Sequence, residues 1–278
     1  MSYLFDAHSH VQFPAYDGDR EAVIERAQKA GVKMLAVGTQ YATSQSAITL
    51  AQKYPKDVWA TVGFHPNHLS TTWHHDLKEQ QESIPEVFDK EKFLTLAHDP
   101  KCVAIGEFGL DYYRITGDEK NIKEKQQEVF REHVQIAQAV EKPLMIHCRP
   151  KKGTDDAYED LLGLLGNARV PAVIHFYVGS PAITEQLLTT GCYFTFGGVI
   201  TFARDYDESI RLIPLERILL ETDCPYVAPL SQRGKRNEPA FIPETYRKMA
   251  EIKKVDYDRL VQSVQSNFES VFRVNAEA

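Results

Sequence analysis

The sequence contains little cysteine and no closely spaced cysteine pair. Its four cysteines are Cys102, Cys148, Cys192 and Cys224, and no C-x-x-C motif occurs among the 278 residues. A chain of this length can bury a large apolar core without a disulfide framework, and a structural zinc site of the finger type needs clustered thiolates. We therefore predict four reduced thiols and exclude a disulfide scaffold and a zinc finger.

Long apolar runs and an excess of basic charge are also absent. No stretch approaches the ~18 consecutive apolar residues of a membrane span, and the start MSYLFDAHSH lacks the order of a signal peptide. We therefore expect a cytoplasmic protein with no membrane partner. The 32 basic and 39 acidic residues give a net charge of -7, which excludes a surface that binds nucleic acid over its whole extent. A local basic pocket remains compatible with this charge, and no feature indicates an obligate protein partner.

Short apolar runs alternate with stretches of helical spacing along the whole chain, which is typical of an α/β protein with a parallel sheet. The runs predict eight strands, at residues 3–8, 33–39, 58–64, 103–108, 143–148, 170–176, 192–197 and 217–222. No linker interrupts the series, so we predict a single domain over 1–278 with the (β/α)8 TIM-barrel fold. A doubly wound open sheet would give the same linear pattern.

The intervening helices have recognisable ends. Val23, Ala27 and Ala30 repeat at helical spacing, and Gly31 follows where a left-handed cap belongs. A last helix is predicted near the C-terminus, with Asp256 or Asp258 as its N-cap. Residues 66–100 form the longest connection and predict a loop that contains a helix and lines the mouth of a pocket.

Ionisable side chains fall at the ends of the predicted strands. The C-terminal strand ends of a barrel converge on one face, so residues far apart in sequence would meet there. These residues are His8, His10, His65, Glu107, His147, His175 and Asp223. A lone histidine at a strand end is more often a satisfied polar group than a ligand, but so many at equivalent positions favour a metal centre.

The residue types indicate the kind of metal. Side chains alternate along a strand, so His8 and His10 face the same way and can share an ion. Imidazole nitrogens and carboxylate oxygens suit divalent magnesium, manganese, iron or zinc. His65 apart, the set supplies four histidines and two carboxylates. These six ligands exceed the needs of one tetrahedral ion that must also hold a water, so we predict two divalent metal ions bridged by one carboxylate.

Two basic runs follow predicted strand ends, Arg149-Pro150-Lys151-Lys152 after the fifth and Arg233-Gly234-Lys235-Arg236 after the eighth. Their position favours an anionic substrate, although solvated loops would have the same composition. Arg149 is predicted to bind substrate, with a surface salt bridge as the alternative. His65 is predicted to bind substrate, with capping of a turn as the alternative.

Together these motifs resemble the TatD family of metal-dependent deoxyribonucleases, and the match runs in order along nearly the whole chain. The matching motifs are Phe5-Asp6-Ala7-His8-Ser9-His10, Val62-Gly63-Phe64-His65-Pro66, Ile105-Gly106-Glu107-Phe108-Gly109-Leu110-Asp111-Tyr112, Ile146-His147-Cys148-Arg149, Glu221-Thr222-Asp223-Cys224-Pro225-Tyr226 and Arg233-Gly234-Lys235-Arg236-Asn237-Glu238-Pro239. The resemblance implies a TIM barrel that hydrolyses phosphodiester bonds of DNA, with single-stranded or frayed 3' ends as substrate, in the 3' to 5' direction.

The resemblance also implies roles for individual residues. His8, His10, Glu107 and Asp223 would hold one ion, and Glu107, His147 and His175 would hold the other. We expect Asp223 to act as a ligand and as the acceptor of the water's proton, while Glu107 orders the two ions.

Two further expectations concern the substrate. Asn237 and Glu238 are expected to contact it. The stretch His175-Phe176-Tyr177-Val178-Gly179-Ser180 departs from the family's usual His-Cys-Phe-Ser-Gly. This departure changes the expected pocket wall, so the substrate can differ from the family's usual one.

Two other functions are compatible with the same pattern. A metal-dependent amidohydrolase or esterase would use the same barrel, but many amidohydrolases bridge their metals with a modified lysine on the fourth strand, where this chain has Glu107. A non-catalytic scaffold that binds nucleic acid or protein would need a broad basic face, and the chain offers only two short basic runs.

Overall fold

The computed structural model describes residues 3–69, 76–82 and 86–275. Within them, eight parallel strands form one sheet in which each strand pairs with the next along the chain. All eight predicted strands are present. They are β1 (Leu4–Ser9), β2 (Val32–Val37), β3 (Val58–Val62), β4 (Cys102–Asp111), β5 (Leu144–Arg149), β6 (Ala172–Ile174), β7 (Tyr193–Phe196) and β8 (Ile218–Leu220).

The first and last strands meet and nearly close the sheet into a barrel. The backbone N–H of Asp223 donates to the carbonyl of His8 at 2.9 Å, and the N–H of His10 donates to the carbonyl of Cys224 at 2.8 Å. An open doubly wound sheet would leave these two edges apart. The structure therefore decides between the two folds that the sequence pattern allowed, in favour of the (β/α)8 barrel.

Helices surround the barrel. They are α1 (Arg20–Lys29), α2 (Tyr41–Lys53), α3 (Lys90–Ala97), α4 (Glu119–Ala139), α5 (Asp156–Leu165), α6 (Pro181–Leu188), α7 (Asp207–Leu212), α8 (Ile242–Lys253) and α9 (Tyr257–Phe272). Gly31 has φ +69° after α1, as its predicted cap position requires. Asp256 is the N-cap of α9 and accepts the N–H of Asp258 at 2.9 Å. No helix in these described ranges is long and apolar enough to cross a membrane.

The core lies inside the barrel and between the barrel and its helices. β2, β3 and β4 are buried along their whole lengths, as strands covered on both faces must be. The ring centroids of Phe5 in β1 and Phe268 in α9 lie 4.4 Å apart, so the last helix packs directly on the first strand. All four cysteines are buried free thiols, as predicted.

β4 carries an irregularity that the alternating pattern did not reveal. Its pairing with β5 shifts register between Ile105 and Phe108, and Gly106 and Gly109 have φ +150° and +152°. A Cβ on Gly106 would lie 2.2 Å from the carbonyl oxygen of Met145, so only glycine fits there. The bulge places the Glu107 side chain among the strand-end histidines.

The connection at residues 66–100 contains a helix, as predicted, namely α3, preceded by a 3-10 turn at Pro66–Leu69. Its residues 76–82 lie against the barrel mouth, because the Tyr226 hydroxyl after β8 donates to Asp76 at 2.8 Å. His68, at the start of the connection, lies 2.9 Å from Glu79. Trp73, His74 and His75 of this segment lie outside the described residues.

Candidate metal centre

Glu107 lies at the middle of a cluster of donor atoms at the C-terminal ends of the strands. Its carboxylate is buried, and its two oxygens face different groups of histidines. The donors come from β1, β4, β5 and the loops after β3, β6 and β8. The structure thus brings together all six predicted metal-ligating residues, together with His65.

One oxygen of Glu107 faces the β1 side. Its Oε2 lies 3.2 Å from His8 Nε2 and 3.8 Å from His10 Nε2. Asp223 Oδ1 lies 3.4 Å from His10 Nε2 and 4.0 Å from His8 Nε2. These atoms form a group of nitrogen and oxygen donors around one small space.

The other oxygen faces β5 and β6. Glu107 Oε1 lies 2.9 Å from His147 Nδ1, 2.9 Å from His175 Nε2 and 3.3 Å from His65 Nε2. Two groups of donors therefore share a single carboxylate, and they adjoin where the rings of His8 and His175 stack with their centroids 3.9 Å apart.

Several contacts within the cluster join nitrogen to nitrogen. His8 Nε2 and His10 Nε2 are 3.2 Å apart, and His147 Nδ1 and His175 Nε2 are 3.4 Å apart. Two imidazole nitrogens that converge in this way can present their lone pairs to a shared cation, whereas without a cation one ring must donate a proton to the other. The donor set therefore fits divalent metal ions, which the residues as placed could hold.

The electrostatics of the cluster keep its carboxylates ionised. Burial opposes the charge on Glu107, but the imidazoles of His175, His65 and His8 outweigh burial and hold its pKa well below the usual range. Burial likewise opposes the charge on Asp223, and the hydrogen bond from His10 lowers its pKa. Ionised carboxylates are the state that a cation requires.

His65 can donate a hydrogen bond to the cluster through its Nε2–H. Its Nδ1 accepts the backbone N–H of Asn67 at 3.1 Å, so the proton of the neutral ring lies on Nε2. Burial lowers the pKa of His65 to about 4, which keeps the ring neutral near pH 7. The Nε2–H therefore points towards Glu107 and the centre, where it can donate a hydrogen bond.

Two carboxylates outside the predicted set support the histidines. Asp111 Oδ2 lies 3.3 Å from His147 Nε2, the ring nitrogen that faces away from Glu107. Glu221 Oε1 lies 3.6 Å from His175 Nδ1, an electrostatic contact longer than a hydrogen bond, and Glu221 also accepts a hydrogen bond from the Thr195 hydroxyl. A hydrogen-bonded carboxylate such as Asp111 fixes the tautomer of a metal-bound imidazole. Both residues lie at strand ends within motifs that match the family, but neither signal indicated that they contact the histidines.

The loop that carries Asp223 is held by buried polar contacts. β8 ends at Leu220, two residues before its predicted end, and Asp223 has φ 53°. Thr222 donates to Asp6 through its backbone N–H at 2.9 Å and its hydroxyl at 2.5 Å. The side chain of Asp223 therefore points to the centre because a turn hydrogen-bonded to β1 holds it there. It does not do so because β8 continues to this residue.

Asn237 and Glu238 lie behind this loop. The buried Asn237 amide donates to the carbonyls of Thr222 at 2.8 Å and Tyr226 at 2.7 Å. Glu238 accepts from Arg26 on α1 at 2.6 Å. The structure does not bring these two residues into the donor cluster, and their contacts serve to position the loop.

A cavity of about 870 Å³ opens beside the centre. His147, His175 and Asp223 line it, together with the basic run from Arg149 to Lys152. The second basic run lies outside its lining. Arg236 of that run donates to Asp19 at 2.7 Å, and Arg233 lies over the ring of Phe202. Of the two basic runs, the one after β5 supplies positive charge to this cavity.

Comparison with known proteins agrees with this geometry. The family model described as TatD related DNase matches residues 5–273. The metal-dependent hydrolase YabD of Bacillus subtilis is 34% identical over 98% of this chain and 100% of its own length. The 3'-5' ssDNA/RNA exonuclease TatD of Salmonella typhimurium is 32% identical over 98% of this chain and 99% of its own.

A solved structure is similar over the same extent. The crystal structure of YJJV, a TatD homologue from Escherichia coli K12, superposes with a TM-score of 0.81 at 28% identity, covering 98% of both chains. The matching model, the relatives and the shared barrel lead to one conclusion: the chain belongs to the TatD family of metal-dependent hydrolases.

Proposed function

We propose that this protein hydrolyses phosphodiester bonds of single-stranded DNA, or of frayed 3' ends, and removes nucleotides in the 3' to 5' direction. The observation that carries the proposal is the division of donors around Glu107, whose two oxygens face separate groups of imidazoles. The name of the Salmonella relative, a 3'-5' ssDNA/RNA exonuclease, supports the same class of substrate.

The arrangement of the donors supports two divalent cations. His8, His10, Asp223 and Glu107 would hold one, and Glu107, His147 and His175 the other, which agrees with the distances around the two Glu107 oxygens. Magnesium, manganese and zinc all accept nitrogen and oxygen ligands, so the donor set is compatible with each of them. Bound cations would lower the pKa of a water and neutralise charge on the phosphoryl oxygens.

Asp223 is placed to accept a proton. Its Oδ1 faces His10, and its side chain is 16% exposed and lines the cavity from which substrate enters. A carboxylate has two oxygens, so one can contact a cation while the other receives the proton of the attacking water. We assign Asp223 this double role.

Other side chains are placed to bind the phosphate. The Nε2–H of His65 points towards the centre and can donate to a phosphoryl oxygen. Arg149 lies at the end of β5 in the cavity wall, where its guanidinium can form paired hydrogen bonds to phosphate. Lys151 and Lys152 add positive charge along the same wall. The same lining contains the acidic Asp155, Glu159 and Asp205, so the positive charge is confined to the part of the wall after β5.

The proposal is tested with a 3'-labelled single-stranded oligonucleotide, assayed with magnesium, manganese and zinc in turn and beside a panel of esters and cyclic amides. We expect stepwise loss of nucleotides from the 3' end that stops on addition of a chelator. Hydrolysis confined to the ester or amide substrates would replace the nuclease by a different hydrolase on the same scaffold. Binding of DNA without cleavage under any metal would indicate a scaffold.

A further inference from the structure

Aromatic side chains line the cavity beside the candidate metal centre. Tyr113 follows β4, Phe176 follows β6 and Tyr206 follows β7, and all three contribute to the lining that also contains His147 and His175. The sheet runs in chain order, so the three aromatic residues are arranged successively around one part of the barrel mouth. This surface, which we call the aromatic wall, plays no part in holding the cations.

Tyr113 is unusually exposed for a large ring. Half of its surface, 50%, is accessible, and the guanidinium carbon of Arg149 lies 3.9 Å from its ring centroid. An aromatic ring that serves only the core would be covered, whereas this ring and the planar guanidinium form an open stack. Flat, partly exposed groups of this kind are the surfaces on which single-stranded nucleic acids stack their bases.

Phe176 lies closer to the centre. Its ring centroid is 6.2 Å from that of His175, so it borders the space that a phosphate at the centre would occupy. Its backbone has φ 46°, a conformation that bulky residues rarely adopt, and the Thr195 hydroxyl accepts its N–H at 2.9 Å. The ring is partly exposed and lines the cavity. The strained backbone therefore holds an apolar ring at the cavity surface and not in the core.

We propose that the aromatic wall binds the nucleobase of the 3'-terminal nucleotide by stacking on Phe176, with the Tyr113 and Arg149 pair as the second stacking surface. The inference rests on the proposed nuclease function and adds to it the part of the substrate that is recognised. A base can stack on protein rings only when it has left its partner strand, so the wall selects unpaired ends. Stacking tolerates any base, because every base has a π face.

The experiment compares two single-stranded oligonucleotides that differ only in the 3'-terminal residue, thymidine in one and an abasic tetrahydrofuran in the other. We expect the wild-type protein to cleave the thymidine end with a higher kcat/KM. In the Phe176→Ala variant, the ratio of kcat/KM for the thymidine end to kcat/KM for the abasic end should fall by roughly 5- to 100-fold, as expected for the loss of one stacked base. Phe176→Tyr, which keeps a ring, should retain the wild-type ratio, and Phe176→Leu, which keeps apolar volume alone, should not.

A matched control lies at the other end of the barrel. Tyr193, at the start of β7, carries Arg217 over its ring at 4.9 Å, so Tyr193→Ala removes an equivalent arginine and tyrosine stack far from the cavity. Tyr113→Ala should raise KM for the thymidine substrate, whereas Tyr193→Ala should leave it unchanged. Fluorescence anisotropy of labelled oligothymidine, measured in a Glu107→Gln background, reports binding without turnover. The affinity measured in this way should be weakened by Tyr113→Ala and unchanged by Tyr193→Ala.

The two proposals can fail separately. If the wild type cleaves neither oligonucleotide with any metal, the nuclease function is wrong. If it cleaves both but Phe176→Ala and Tyr113→Ala keep the wild-type preference for a base and the wild-type anisotropy affinity, the stacking proposal is wrong and the nuclease function stands.

Discussion

At the scale of single residues, Glu107 dominates the candidate site. It is a buried carboxylate that faces His8 on one side and His147 and His175 on the other. An uncompensated buried charge is costly, so such a group persists only with partners arranged around it. Its position explains why the remaining donors divide into two sets, and Asp111 holds the far nitrogen of one of them, His147.

Asp223 provides the first test at this scale. Asp223→Asn removes the proton acceptor and one anionic donor while keeping nearly the same shape. We expect phosphodiesterase kcat to fall by about 100-fold or more, in line with general base catalysis. Circular dichroism should show an intact fold. Turnover near the wild-type rate would remove the role assigned to Asp223.

Asn237 distinguishes positioning from substrate contact. Its amide donates to two buried carbonyls in the loop that carries Asp223. Asn237→Ala would leave those carbonyls without partners, so we expect about 1–3 kcal/mol less stability in urea unfolding and a lower kcat. A raised KM with unchanged stability would instead support the direct substrate contact predicted from the sequence. Gln232→Ala, at a half-buried position on the surface side of the same loop, is the control.

At the scale of elements, regular features were predictable and irregular ones were not. Apolar runs and caps such as Gly31 located the strands and helices because burial and backbone geometry act locally. The bulge in β4 and the turn after Leu220 depend on contacts with Met145 and Asp6, which are distant in the sequence. Asn237 and Glu238 lie in a motif that matches the family, but only the fold shows that their side chains contact Thr222 and Arg26.

His133 connects α4 to the end of β3 and provides a test at this scale. Its Nε2 accepts the N–H of Phe64 at 3.1 Å, and its Nδ1–H donates to Val129 at 2.8 Å. Burial lowers its pKa from 6.5 to about 4. Between these values the unfolded chain binds a proton that the folded chain does not, so stability falls as the pH drops from 6.5 towards 4.

The expected loss is about 3 kcal/mol at ~1.4 kcal/mol for each pKa unit. Urea unfolding across this pH range should show it as the difference between wild type and His133→Gln, whose amide can still donate and accept. His98→Gln, at an exposed position at the end of α3, is the control and should follow the wild type. Equal pH dependence in wild type and His133→Gln would mean that His133 is not held neutral.

At the scale of the whole molecule, the barrel explains how the site is assembled. Its donors span residues 8 to 223 and meet because eight strands end on one face. That convergence follows from the barrel, so the strand pattern predicted the cluster once the barrel was chosen over the open sheet. The choice between a closed barrel and an open sheet was not predictable, because it depends on the meeting of His8 with Asp223 and of His10 with Cys224.

The central claim is that Glu107 bridges two divalent cations, and anomalous diffraction from crystals grown with manganese tests it most directly. We predict two anomalous peaks about 3.5–4 Å apart, each next to one carboxylate oxygen of Glu107, with His8 and His10 at the first peak and His147 and His175 at the second. Glu107→Gln crystals should lose at least one peak. Manganese bound only away from Glu107, or absent at saturating concentration, would contradict the claim.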